Sequence, residues 1–161
     1  HQAYQFLLEA IKRDGVPYDL ISKSLPTIEG AVNDILAQIV DFNIVFNMDG
    51  KQIDTHIVYD DDRVWPLELS SGMERFVSSL AIRVGLMNVS NLPRSNFLAI
   101  DEGWGTMDSD NLNSVAQLFQ YLKSQFQFTF VVSHIETMRD FVDTLLEIKK
   151  IDGSSSVRFS R

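Results

Sequence analysis

Apolar residues recur three and four positions apart in some stretches of the chain and alternate or run together in others, so helices and strands are predicted by turns. Residues 1–13 fit an amphipathic helix with Tyr4, Leu7, Leu8 and Ile11 on one face. Gly15-Val16-Pro17 breaks it, and Pro26 is expected in the first turn of a second helix, where its missing N–H costs nothing. Ile28, Val32, Ile35, Leu36 and Ile39 form that helix's stripe. Alternation follows, with Phe42, Ile44, Phe46 and Met48 on one strand and Ile53, Thr55, Ile57 and Tyr59 on the next. Asp49-Gly50 between them favours a tight turn, which predicts an antiparallel hairpin with Asp60-Asp61-Asp62 as its solvated exit loop.

In the second half, Phe76, Leu80, Val84 and Met87 place a helix from Glu74 to about Asn88, entered through Ser70-Ser71-Gly72. Phe97-Leu98-Ala99-Ile100 reads as a strand buried on both faces. Leu112, Val115, Phe119 and Leu122 predict a helix with Ser109 as its N-cap. Phe128 to Val132 is a second buried strand, ending at Ser133-His134. A helix with Met138, Phe141 and Val142 follows, then a closing pair of strands around 145–151 and 157–159 that turn at Asp152-Gly153. Strands alternating with helices imply an α/β fold: a mainly parallel sheet flanked by helices, with an antiparallel hairpin.

Composition narrows this picture. A chain of 161 residues, 45% hydrophobic and 22% charged, can bury one sizeable core. A net charge of -8 makes a free-standing DNA binder unfavourable, since the surface repels phosphate backbones. The absence of cysteine excludes disulfides, thiolate metal sites and a cysteine nucleophile. No apolar run approaches about 18 residues and the first residues lack a secretory pattern, so a soluble intracellular protein, cytoplasmic or nuclear, is expected without a membrane partner. The opening helix without an initiator Met is expected to be either the stump of a longer coiled coil or an ordinary first helix.

The chemistry concentrates in four segments. Asp101 and Glu102 are adjacent acids at a strand's carboxyl end, the edge where open α/β sheets bind ligands. One carboxylate can serve a metal and its neighbour an attacking water. Ser71-Gly72-Met73-Glu74 leads into a helix, whose free N–H groups and dipole suit a phosphate. The same residues also fit a plain capping box, with Ser70 or Ser71 as cap and Glu74 closing it. Gly103-Trp104-Gly105-Thr106-Met107-Asp108 follows the acids as a tight loop. His134, at the end of the neighbouring strand, would flank the same phosphate as Glu102. His1 and His56 read as incidental, and the acidic run at 60–62 as a solvated loop.

In this order and spacing the segments resemble the second lobe of an ABC-type ATPase head, in the SbcC-like, SMC-related branch of double-strand-break repair. The signature helix, the Asp-Glu-Gly-aromatic-Gly run of 101–105, and Leu25-Pro26-x-Ile28-Glu29 after a returning coiled coil are similar to that branch more than to transporter domains. The resemblance makes residues 1–13 the end of a coiled-coil helix and 14–161 the C-terminal lobe. It implies nucleotide contacts from Ser70, Ser71, Gly72, Met73 and Glu74 of the signature and Asp108 of the D-loop. It assigns Mg²⁺ to Asp101 of Walker B, catalysis to Glu102, and the switch role to His134.

Two departures stand out. Met73 occupies the place of the signature's second glycine, and no Gly-x-x-x-x-Gly-Lys-Ser/Thr phosphate cradle occurs in the chain. The resemblance therefore implies half an active site that needs an N-terminal Walker A lobe, ATP with Mg²⁺, and a second protomer joined through ATP. An SbcD-like nuclease and double-stranded DNA ends are the implied partners. The competing reading is a non-catalytic structural or interaction domain of an SMC-like scaffold.

Overall fold

The computed structural model describes residues 2–12, 15–49, 52–104 and 112–160, without the side chains of Gln2, Leu112 and Ile151. The turn after Asp49, the D-loop Asp108 and the expected cap Ser109 lie outside these residues. Helix α1 (Gln2–Ala10) leaves Tyr4, Leu7 and Leu8 exposed. Helix α2 (Val16–Leu36) starts ten residues earlier than Pro26 suggested. Pro17 takes the first-turn position, and Pro26 lies inside the helix, where it removes one main-chain bond that the rest of the helix tolerates. Val32, Ile35 and Leu36 of the expected stripe are buried, as is Ile39 just beyond the helix.

Strands β1 (Asn43–Asp49) and β2 (Gln52–Asp60) form the expected antiparallel hairpin, with Asn43 opposite Val58 and Asp49 opposite Gln52. The acidic run continues into a third strand, β3 (Arg63–Pro66), which the alternation pattern does not predict. The pairing shifts between Val58 and Asp60, and the Asp60 carboxylate accepts a hydrogen bond from Arg63 Nε at 2.7 Å, so this segment is a turn rather than a loose exit. The outer edge of β1 is closed by α2. Asn33 exchanges both amide hydrogen bonds with the Ile44 backbone at 2.8 and 2.9 Å, and Glu29 accepts from Phe46 N–H at 2.8 Å. These side chains stand in for a neighbouring strand.

Helix α3 (Gly72–Val89) packs along α2, burying Val77, Leu80, Ala81 and Val84. The two helices approach so closely at Gly85 that a Cβ there would stand 2.7 Å from Val32 Cγ2. Strands β4 (Phe97–Asp101) and β5 (Phe128–Val132) pair in parallel, Phe97 opposite Phe128 and Asp101 opposite Val132. Helix α4 (Leu112–Gln125) links them, contributing Val115, Leu118, Phe119 and Leu122 to the core. The helix expected around Met138 is a short 3-10 turn, Glu136–Phe141. Strands β6 (Leu145–Ile151) and β7 (Ser154–Ser160) close the chain as an antiparallel pair turned at Asp152-Gly153.

The α/β class thus holds, and among the described residues the parallel pairing falls on β4 and β5 while the other two sheets are antiparallel. One expectation is corrected: β4 and β5 are not buried on both faces. Ile100 points into the core with Leu98 and Val131 against it, whereas Phe97, Phe128, Phe130 and Val132 remain 39–58% exposed. The apolar run marks two apolar faces, and this chain's own helices cover only one.

Candidate nucleotide site

Strand β4 ends at Asp101, and the chain then turns through two left-handed residues, Glu102 at φ 60° and Gly103 at φ 98°. A left-handed glutamate is uncommon and needs support from its surroundings. One support is the Glu102 N–H, which donates to the Val132 carbonyl at 3.1 Å and extends the parallel pairing past the strand's end. Another is Trp104, only 1% exposed, whose ring enters the core directly after the turn.

Strand β5 delivers His134 to the same edge. Beyond Val132, Ser133 Oγ accepts a hydrogen bond from Ile135 N–H at 3.1 Å, closing a side-chain turn around the histidine. His134 Nδ1 lies 3.2 Å from one Glu102 carboxylate oxygen and 3.3 Å from the other. Both side chains are solvent-accessible, and Asp101, the residue before Glu102, is exposed as well. The acids and the imidazole stand at the carboxyl ends of adjoining parallel strands. That arrangement can present a base and a cationic or hydrogen-bonding group to one reacting atom.

The segment Ser70–Glu74 is built differently. Ser71 caps α3, its hydroxyl accepting from Glu74 N–H at 3.2 Å while the Glu74 carboxylate accepts from Ser71 N–H at 2.6 Å. The capping-box possibility is therefore realised. Ser70 is buried and donates to the Leu67 carbonyl, and Met73 is packed into the core at 5% exposure. Ser71 is exposed and Gly72 half-buried, so the capping residue itself remains open to solvent. Among the described residues no hydrogen bond joins this segment to Asp101, Glu102 or His134.

Sequence reasoning missed Tyr59. From the end of β2 its hydroxyl donates to the other Glu74 oxygen at 2.7 Å, and the ring packs between Phe42 and Trp65. Burial, then the hydrogen bond to Glu74, pushes the Tyr59 hydroxyl up to about 12. Burial opposes ionisation of Glu74, yet the Tyr59 hydroxyl and the Ser71 N–H outweigh it and hold the carboxyl below its usual range. The only advance signal was an aromatic on the core side of a strand leading into a turn, which does not name a partner.

Among the described residues no group of three or more acidic or histidine side chains is gathered to hold a metal unaided. The exposed Asp101 carboxylate suits Mg²⁺, a hard cation that keeps water and phosphate oxygens and takes only one or two carboxylates from protein. No helix of the described residues is long and apolar enough to cross a membrane.

No protein-family model matches the chain. In sequence it is 35% identical over 170 aligned positions to an uncharacterized protein, R555, of Acanthamoeba polyphaga mimivirus, an alignment covering 96% of this chain and 13% of that protein. It is 33% identical over 95 positions to the SbcC component of the SbcCD nuclease of Staphylococcus aureus, covering 56% of this chain and 9% of that component. The chain thus spans a small part of each relative. In structure it matches a chain from work on ATP-driven dimerization and DNA-stimulated activation of SMC ATPases, with TM-score 0.72 at 17% identity over 89% of both chains. It also matches the SMC head domain of Thermotoga maritima, with TM-score 0.61 at 20% identity over 90% of this chain and 51% of that one. The fold is that of SMC head domains, and over 56% of the chain the sequence is similar to SbcC.

Proposed function

We propose that this chain is the C-terminal half of an ATP-hydrolysing head in an SbcC-like DNA repair or recombination protein. The contact of His134 with Glu102 at 3.2 Å, on an open edge beside Asp101, carries the reading. The uncovered apolar face of β4 and β5 supports a second lobe packed there, as does a cavity of about 960 Å³ flanked by β5 and β6, which share no main-chain pairing. That lobe would supply the Walker A cradle this sequence lacks. The exposed stripe of α1 supports a coiled coil leading into α2.

In the completed site Asp101 would hold Mg²⁺, which neutralises phosphate charge when bound. Glu102 would orient or deprotonate the attacking water, and His134 would hydrogen-bond the terminal phosphate. Ser71 and Gly72, with the D-loop Asp108, would meet the nucleotide held by a second protomer, so that ATP joins two heads. Nucleotide turnover would then control an SbcD-like nuclease at double-stranded DNA ends. The acidic surface leaves DNA contact to other parts of that assembly.

The test is Glu102→Gln in the complete two-lobe protein. Expected are unchanged ATP affinity, persistent ATP-dependent dimers and a loss of turnover of at least about a hundredfold, in the range of removing a general base. Turnover equal to the wild type would remove Glu102 from its role. Nucleotide-dependent dimers with no turnover in the wild type itself would favour the non-catalytic scaffold, a reading helped by the burial of Met73.

A further inference from the structure

A file of four aromatic rings runs behind the candidate site. Phe76 on α3 meets Trp104 with centroids 4.6 Å apart, Trp104 stacks on Phe119 of α4 at 5.2 Å, and Phe119 stacks on Phe141 at 5.9 Å. Phe141 ends the 3-10 turn that begins two residues after His134. The file thus touches the signature helix, the residue two after Glu102, and the segment leaving His134. The Trp104 ring is packed between Phe76 and Phe119 and is 1% exposed, and its indole N–H has no hydrogen-bond partner among the described residues.

The turn it follows has little slack. Glu102 and Gly103 are both left-handed, and a Cβ on Gly103 would stand 2.6 Å from the Phe76 ring. On one side the Glu102 backbone is tied to Val132; on the other the chain is pinned by Trp104. A glutamate free to relax to right-handed backbone would swing its carboxylate away from His134. We infer that Trp104 is a positioning residue: its ring, clamped between Phe76 and Phe119, holds the Glu102-Gly103 turn and so keeps the Glu102 carboxylate beside His134. This rests on the proposed ATPase reading and adds a residue that touches neither nucleotide nor water.

The test uses the full-length two-lobe protein and separates kcat from KM for ATP. Trp104→Leu is expected to lower kcat about tenfold or more per folded molecule with KM within about twofold, because binding is left in place and orientation is lost. Trp104→Phe, which keeps a ring in the file, is expected to retain at least about a third of kcat. Phe76→Leu, at the half-buried end of the file, is expected to lower kcat about threefold. It carries the test if Trp104→Leu does not fold. Leu118→Val, a core change on α4 outside the file, should leave kcat per folded molecule unchanged.

The inference is overturned if Trp104→Leu or, failing that, Phe76→Leu keeps wild-type kcat, or if Leu118→Val loses as much as they do. Glu102→Gln, measured alongside, distinguishes the two levels. Lost turnover in Glu102→Gln with full turnover in Trp104→Leu sinks only the positioning role, whereas full turnover in Glu102→Gln sinks the ATPase reading and this inference with it.

Discussion

Glu74 shows how one side chain can serve the fold while standing in a segment expected to meet ligand. Its two oxygens are divided between the Ser71 N–H and the Tyr59 hydroxyl, so it joins the start of α3 to the β1–β2 hairpin. Tyr59→Phe is expected to cost about 1.5 kcal/mol, the lower end for a hydrogen bond to a charged acceptor, because Glu74 keeps its bond to Ser71. The pH dependence follows in sign. Glu74 is depressed, so its stabilisation is present above the unfolded value of about 4.3 and is lost as pH falls through the lower folded value. Tyr59 is raised, so its stabilisation is present below about 10 and is lost as pH climbs towards about 12. Urea midpoints of wild type and Tyr59→Phe from about pH 3 to pH 11 measure both limbs. The variant should lose the alkaline decline that Tyr59 causes; an unchanged decline would contradict the assignment. The sequence showed Ser71 and Glu74 at capping-box spacing, whereas Tyr59 lies 15 positions before Glu74, beyond any local pattern.

Packing of α2 against α3 depends on a glycine that periodicity ignores. At Gly85 a methyl would press on Val32, a stiff β-branched side chain with no exposed surface. Overpacking of about 1–3 kcal/mol then exceeds the roughly 1 kcal/mol that alanine gains in a helix, so Gly85→Ala should be destabilising. Gly30, inside α2, has nothing within 4 Å of an added Cβ, and Gly30→Ala should stabilise by up to about 1 kcal/mol. Denaturation midpoints that move in opposite directions are the expected result, and a shared direction would refute the packing account. The elements themselves were largely legible: the hairpin, α3, the two parallel strands and the closing pair fall where alternation and helical spacing put them. The α2 start was misplaced because either Pro17 or Pro26 can occupy a first turn, and only the packed helix distinguishes them. Strand β3 was missed because four residues carry too short a pattern, and its pairing with β2 is what makes it a strand.

At the scale of the molecule the β4–β5 and β6–β7 pairs each leave an apolar face open. Phe97, Phe128, Phe130 and Val132 form one open apolar face, and Leu146, Ile148, Val157 and Phe159 another on the closing hairpin. Exposed contiguous apolar surface of this kind marks an interface. On the proposed reading the isolated chain should hydrolyse no ATP and should self-associate or bind an apolar dye. Adding the N-terminal lobe should suppress the dye signal and bring turnover. Measurable hydrolysis by the pure chain would contradict the half-site. What the sequence determined by itself is local: hydrophobic period sets strand or helix, and the Asp-Glu pair and the histidine each follow an apolar run because chain order alone puts them at strand ends. What only the tertiary structure decided is which of those ends meet, which apolar faces stay open, and which rings stack behind Glu102. These depend on strand pairing and on covering helices far apart in the chain, and no local preference encodes a partner that lies across the sheet.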